Sequence, residues 1–353
     1  MPPIFLCKKS NPAARRCTCV SRLMMTVSFL FLAFFLSSCG TQTVSRECFA
    51  MDTVMTLSAS GDQAEQALTE AEAELYRLDH LFSISSATGD IAHLNQTGSA
   101  SVSAETAQLL TRALAFSQQT NGAFDITIYP VAQLWGFYSG QFQVPSADAL
   151  QAALKHVGWQ HCQLEGNSVT LEEGTQLDLG AIAKGYASAR VAQIIQAAGV
   201  SSANLSLGGN VHVIGRKPDS SDWKVAIADP DDPSDYAGIL QVQDTAVVTS
   251  GGYQRYFEEN GTTYHHILDP KTGYPARSGF RSVTVISQDD VLADALSTAL
   301  FVMGPEKASA YWCQATEAFE VVFLTDSHNI LCSEGIADQF TPTDRYTMEV
   351  IHR

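Results

Sequence analysis

Ala64, Leu68, Ala71, Leu75, Leu78 and Phe82 recur at intervals of three and four, which predicts a helix with one core-facing stripe. Gly61-Asp62 opens it. Ahead of it, residues 49–58 alternate well enough for one strand, and residues 40–48 read as a tether. Residues 83–86 and Gly89-Asp90 form a polar loop leading to Ile91-Ala92-His93-Leu94-Asn95. Ser103 caps a helix to about Gln119, with Ala107, Leu110 and Leu114 on one side, and Asn121-Gly122 stops it. Residues 131–145 carry Trp135, Phe137 and Tyr138 and read as an aromatic-lined loop. Ser146 caps a short helix through Leu150, Leu154 and Val157. Strands at 169–171 and 177–179 are expected to pair around Glu172-Glu173-Gly174.

Residues 176–190 read as a buried strand ending at Asp178, a tight turn at Gly180, and a helix with Lys184 in its first turn. Further strands are expected at 204–207, 211–214, 223–228, 247–249 and 283–286. Gly208-Gly209-Asn210 follows the first of these and Ser250-Gly251-Gly252 the fourth. Glu259-Asn260-Gly261-Thr262 is a hairpin turn. His265 and His266 are consecutive on a strand and face opposite sides, so only one can point into a given site. A helix begins near Asp290, Pro305 opens the last one, and strands at 321–324 and 330–332 close a sheet. Strands and helices mix without a regular βαβ rhythm. The fold class is therefore α+β, mixed sheets with packed helices, in a single domain over 49–345.

The N-terminus changes the picture. Lys8, Lys9, Arg15, Arg16 and Arg22 precede an apolar run over 23–36, too short to span a bilayer and suited to a signal peptide. Leu36-Ser37-Ser38-Cys39 resembles the bacterial lipobox, which would make Cys39 the lipidated first residue after a leader of residues 1–38. The expected location is outside the cytoplasm, held to a bacterial membrane by the lipid alone. Outside the leader and Cys39, four cysteines remain: Cys48, Cys162, Cys313 and Cys332. They lack zinc spacing, and an oxidising compartment leaves one or two disulfides open without pairing them.

The chain carries a net charge of −16, and −21 once the five cationic side chains of residues 1–38 are set aside. So acidic a surface excludes sequence-independent nucleic-acid binding. It also means that a phosphate-bearing ligand calls for a divalent cation. Free N–H groups at the helix start after Gly180, together with Lys184, suit an anionic phosphate. Asp178 just before them can cap the helix or hold a hydroxyl or ring N–H. Asp294 and Thr298 stand one turn apart on one helix face, hard-oxygen donors of the kind magnesium accepts.

These stretches together resemble the bacterial flavin transferases of the ApbE type, which move FMN from FAD onto a protein threonine. The resemblance runs through Met51-Asp52-Thr53, Gly122-Ala123-Phe124-Asp125, residues 177–187, Ser206-Leu207-Gly208-Gly209-Asn210, Thr249-Ser250-Gly251, His266-Ile267-Leu268-Asp269-Pro270 and residues 293–299. It implies FAD contacts at Met51, Ser83, Ala123, Phe124, Asp125, Asp178, Lys184, Leu268 and the Ser250-Gly251 corner. It implies a Mg2+ ion held by the carbonyl of Ala181 and the side chains of Asp294 and Thr298, with His266 as general base. Phe124, Tyr253 and Met51 are candidates for an apolar pocket around the isoalloxazine ring. Asp52 stands where many members have glycine, and Gly180 where many have serine. The implied partner is an exported or membrane flavoprotein carrying the target threonine. A lipoprotein that only hydrolyses FAD to FMN and AMP is the alternative activity. A two-lobed solute-binding lipoprotein is a third reading, for which no hinge signal is visible.

Overall fold

Nine strands form one sheet in the spatial order Thr43–Ala50, Thr53–Ser60, Ser202–Leu207, Asn210–Gly215, Thr245–Gly251, Phe280–Ser287, Glu320–Thr325, Asn329–Ser333 and Thr347–Ile351. They belong to a computed structural model that describes residues 42–353 apart from Pro233. Neighbours run antiparallel until the last pair, Asn329–Ser333 and Thr347–Ile351, which is parallel. In Phe280–Ser287 every residue but Arg281 is buried. Both faces of the sheet are covered there, so strict alternation is lost.

Three helices, Ala64–Phe82, Ala183–Ala197 and Asp290–Met303, cover one face. Leu57, Leu205, Val248 and Val283 of the sheet meet Leu75, Ile195 and Leu296 in the main core. On the other face a three-stranded sheet of Trp223–Ala228, Tyr236–Val242 and Phe340–Pro342 packs Ile227, Leu240 and Phe340 over Val213, Val247 and Ile286. A smaller cluster forms around Trp135, with Phe137, Leu150 and Leu268 against Phe257 and Tyr264. The α+β expectation is met, and residues 42–353 make one compact unit without the two lobes of a solute-binding lipoprotein.

Local expectations hold where side-chain chemistry is strong. The stripe from Ala64 to Phe82 is buried throughout. Ser103 and Ser146 cap their helices by accepting the N–H groups of Thr106 and Ala149. Asn260 and Gly261, both at positive φ, join Tyr256–Glu259 to Thr262–His265.

Other expectations are corrected. The tether over 40–48 is shorter, because the first strand starts at Thr43, opposite Ser60. The single strand over 49–58 is a hairpin, since Met51 and Asp52 lie at φ 50° and 59°. Apolar Met51 and Val54 mask this two-residue turn in the pattern. The pairing of 169–171 with 177–179 does not form. Ser168–Leu171 pairs with Cys162–Glu165 and Ser99–Ser101 instead. Residues 177–179 join no sheet; Asn95 accepts the Leu177 N–H at 2.6 Å and donates to its carbonyl at 2.8 Å, and the Asp178 N–H donates to the Ile126 carbonyl at 2.7 Å. Part of the aromatic loop is a helix, Tyr129–Trp135, stopped by Gly136 at φ 77°. The polar loop after Ser83 ends in the helix Asp90–Thr97. The fold continues past 345 into Thr347–Ile351, an edge strand held by parallel pairing with Asn329–Ser333. Cys48, Cys162, Cys313 and Cys332 are all free thiols. Cys39 and the leader lie outside the described residues, among which no helix is long and apolar enough to cross a membrane.

Candidate functional site

Leu179 accepts the N–H groups of Ile182 and Ala183 and so turns the extended 177–179 segment into the helix Ala183–Ala197. Lys184 sits in its first turn. Its Nζ donates to the Gly180 carbonyl at 3.1 Å and stands 3.7 Å from Asp294 Oδ1. The next residue makes the contact tighter: the Gly185 N–H donates to Asp294 Oδ2 at 2.7 Å. A Cβ on Gly185 would lie 2.4 Å from the Asp290 carbonyl oxygen and 2.7 Å from Asp294 Cβ. Only glycine lets the two helices approach this closely. Gly185→Ala is expected to cost about 1–3 kcal/mol and to move Asp294 away from the Lys184 turn. A drop in thermal midpoint with loss of FAD turnover checks this, and an unchanged midpoint contradicts it.

Eleven of the fourteen residues of Asp290–Met303 are buried, so its polar members need partners. Asp294, 3% exposed, has Gly185 and Lys184. Ser297 donates to the Asp294 carbonyl, which leaves Thr298 free to face Ser250, with 3.2 Å between their hydroxyl oxygens. The result is a cluster of hard oxygens around one buried carboxylate. Among the described residues no group of three or more His, Cys, Asp or Glu could hold a metal ion by itself.

Across the cavity, His266 Nδ1 donates to the Arg255 carbonyl at 3.1 Å, which leaves Nε2 as the free acceptor. Desolvation lowers its pKa from 6.5 to about 3, with the nearby charges of Arg255 and Lys184 acting in the same direction. His265, the last residue of the strand Thr262–His265, sets its Nε2 on the Ala276 carbonyl at 3.0 Å and does not line the cavity. His266 lies just past the strand end, so the two are not consecutive strand residues as expected. Tyr138 donates its hydroxyl to Asp178 Oδ2, and the Gly180 N–H donates to Oδ1 at 2.8 Å. Burial pushes Asp178 above the usual carboxylate range and outweighs these bonds. Arg255 stacks on the Tyr138 ring at 5.6 Å.

One cavity of about 1100 Å³ joins these parts, at the large end for a small-molecule site. Met51, Ser83, Ala123, Phe124, Asp125, Asp178, Ala181, Lys184, Ser250, His266, Leu268, Asp294 and Thr298 all line it. Gly251 does not. A Cβ there would meet the Tyr253 ring at 2.4 Å, so this glycine seats Tyr253, which does line the cavity. Asp125 reaches the wall with its carboxylate already engaged, by the Thr127 N–H and hydroxyl on one oxygen and the Trp159 N–H on the other. Phe124 is 2% exposed and packs edge-on to Phe116.

Sequence reasoning missed Asp79, Tyr138, Arg255 and Asn210, all on the lining. Asp79 accepts the Met51 N–H at 3.0 Å and pins a residue whose φ of 50° is unusual for methionine. Tyr138 carried a signal only as one aromatic among several. Asn210 stands in the Ser206–Asn210 motif without a role of its own, and nothing local marks Asp79 or Arg255.

The ApbE family model matches residues 51–323. A protein of Treponema pallidum called FAD:protein FMN transferase is 34% identical over 308 residues, covering 81% of this chain and 85% of that protein. One of Klebsiella pneumoniae with the same name is 36% identical over 275 residues, covering 76% and 85%. The crystal structure of the ApbE protein of Thermotoga maritima superposes with a TM-score of 0.79 at 33% identity, over 84% of this chain and 99% of that one. The apo flavinyl transferase ApbE of Pseudomonas stutzeri gives 0.71 at 31% identity, over 82% and 93%.

Proposed function

This chain belongs to the ApbE family and transfers FMN from FAD to protein, and from that premise we propose that the accepting group is a threonine hydroxyl, that magnesium assists, and that transfer occurs in the cavity between Asp178 and Asp294. One observation carries the reading. The Asp178–Lys184 turn and the Asp294/Thr298 face, far apart in sequence, share one cavity and meet at the Lys184–Asp294 contact.

The diphosphate of FAD would lie against the Lys184 ammonium at the positive end of the Ala183–Ala197 helix. The expectation of free N–H groups there is corrected, because those of Ile182 and Ala183 are bonded to Leu179 and that of Gly185 to Asp294. The threonine oxygen attacks the phosphorus on the FMN side. A new P–O bond forms as the bridging P–O bond breaks, and AMP departs with that electron pair. His266 Nε2 takes the threonine proton. Its low pKa keeps it unprotonated and ready, though weak as a base. A diphosphate paired with Lys184 and Arg255 would cancel two charges that oppose the imidazolium, so substrate itself strengthens the base. Met51 and Tyr253 offer apolar flanks for the flavin ring.

Asp294, Thr298 and the Ala181 carbonyl suit magnesium: hard oxygens with one buried carboxylate, leaving positions for water and phosphate oxygens. Such an ion would neutralise charge on the diphosphate and on departing AMP. We further place the protein outside the cytoplasm, anchored through Cys39, on the strength of its basic, apolar and lipobox sequence. The acceptor would then be an exported or membrane flavoprotein.

The test mixes the purified full-length chain with FAD, magnesium and candidate exported flavoproteins. Flavin fluorescence that stays with the acceptor through a denaturing gel, and vanishes when its threonine is replaced by alanine, is the expected result. Equal release of FMN and AMP with no labelled acceptor would instead make the chain an FAD hydrolase.

A further inference from the structure

We propose that Asn210 is a further binding residue of this cavity, donating its side-chain amide to the diphosphate of FAD. The inference rests on the reading of the cavity given above. Gly208 and Gly209, at φ 59° and 99°, turn the chain sharply between Ser202–Leu207 and Asn210–Gly215. Asn210 emerges from that turn on the cavity wall, only 2% exposed. Its Nδ2 is fully buried and finds no hydrogen-bond partner among the described residues. A buried amide is expensive to leave unpaired, and native structures rarely do so without a ligand or water to accept from it.

The sheet sets where the amide points. Asn210 lies directly opposite Val248, and paired residues share a face, as do residues two apart on one strand. Asn210 and His212 therefore point the same way as Val248 and Ser250. His212 Nδ1 bonds to Asp290 Oδ1 at 2.8 Å and Ser250 Oγ stands 3.2 Å from Thr298 Oγ1, so that face is the one towards the Asp290–Met303 helix. Asn210 sits diagonally from Ser250, roughly 7–8 Å away. A diphosphate held at Lys184 and the Asp294/Thr298 corner has its oxygens within that span. A neutral donor at this point offers a hydrogen bond without a fixed charge to desolvate.

The test measures binding of FAD, ADP and riboflavin, each with magnesium, to the full-length chain and to Asn210→Leu and Asn210→Asp. Leucine should weaken FAD and ADP by roughly tenfold to a hundredfold, leave riboflavin unchanged and not lower the thermal midpoint, since an unpaired amide gives way to an apolar group of similar size. The near-isosteric aspartate, which sets a like charge beside the diphosphate, should weaken FAD and ADP further. Equal losses for riboflavin would place the amide on the flavin ring and overturn the proposal. So would unchanged FAD and ADP affinity, whether or not the midpoint falls. A parent chain that binds neither FAD nor ADP would overturn the reading of the cavity itself.

Discussion

Asp294→Asn is expected to lower FMN transfer by at least ~10²-fold at saturating FAD and magnesium, with the fold intact. Asparagine keeps an oxygen that can accept the Gly185 N–H, now bonded at 2.7 Å, so the junction between the two helices survives. What it removes is the buried negative charge 3.7 Å from Lys184 and one helical turn from Thr298, and with it the pull on a divalent cation. Asp294→Ala should be as inactive and also lose the acceptor at the helix start, at a cost of about 0.5–2 kcal/mol. Turnover measured beside thermal unfolding separates the two effects. Full turnover by the asparagine variant would count against the metal assignment.

His266→Ala should slow transfer by roughly 10²–10⁴-fold while FAD still binds, because the ring's task is to accept a proton. The same histidine leaves a mark on stability. Its pKa is about 3 in the folded chain against an ordinary 6.5. Between those values the unfolded chain binds a proton that the folded chain refuses, so stability falls as pH drops from 6.5 towards 3. Asp178 acts with the opposite sign: its raised pKa lets the folded chain bind a proton first, a contribution lost as pH rises. Urea midpoints at pH 7 and pH 5 should therefore differ less in His266→Gln than in the parent chain. An equal drop in both would show that the ring is not held neutral by burial.

Much of the scaffold was legible because it follows from local chemistry. The stripe from Ala64 to Phe82, the serine caps at 103 and 146 and the Asn260-Gly261 turn each state their structure within a few residues. The hairpin at Met51 was hidden because methionine and aspartate there adopt positive φ with help from Asp79, a partner on the next helix. The 177–179 segment misled for a related reason. Asn95 and Ile126, both remote in sequence, supply the hydrogen bonds that a neighbouring strand would have made.

Site residues divide along the same line. Lys184, Asp294, Thr298 and His266 stand in compact motifs, and the fold brings them to one cavity. Tyr138 and Arg255 matter through each other and through Asp178, and three side chains from separate segments leave no periodic trace. Gly251 is the converse case, a motif residue that stands off the cavity wall. Its value to the site is the room it makes for Tyr253.

The most direct measurement of the central claim takes one sample of acceptor, FAD, magnesium and the full-length chain, and counts both products by mass spectrometry. The account predicts one FMN added per acceptor threonine and one AMP released for each, with both absent when Asp294→Asn replaces the parent chain. AMP without matching flavin on the acceptor, or flavin attached without AMP, would contradict it.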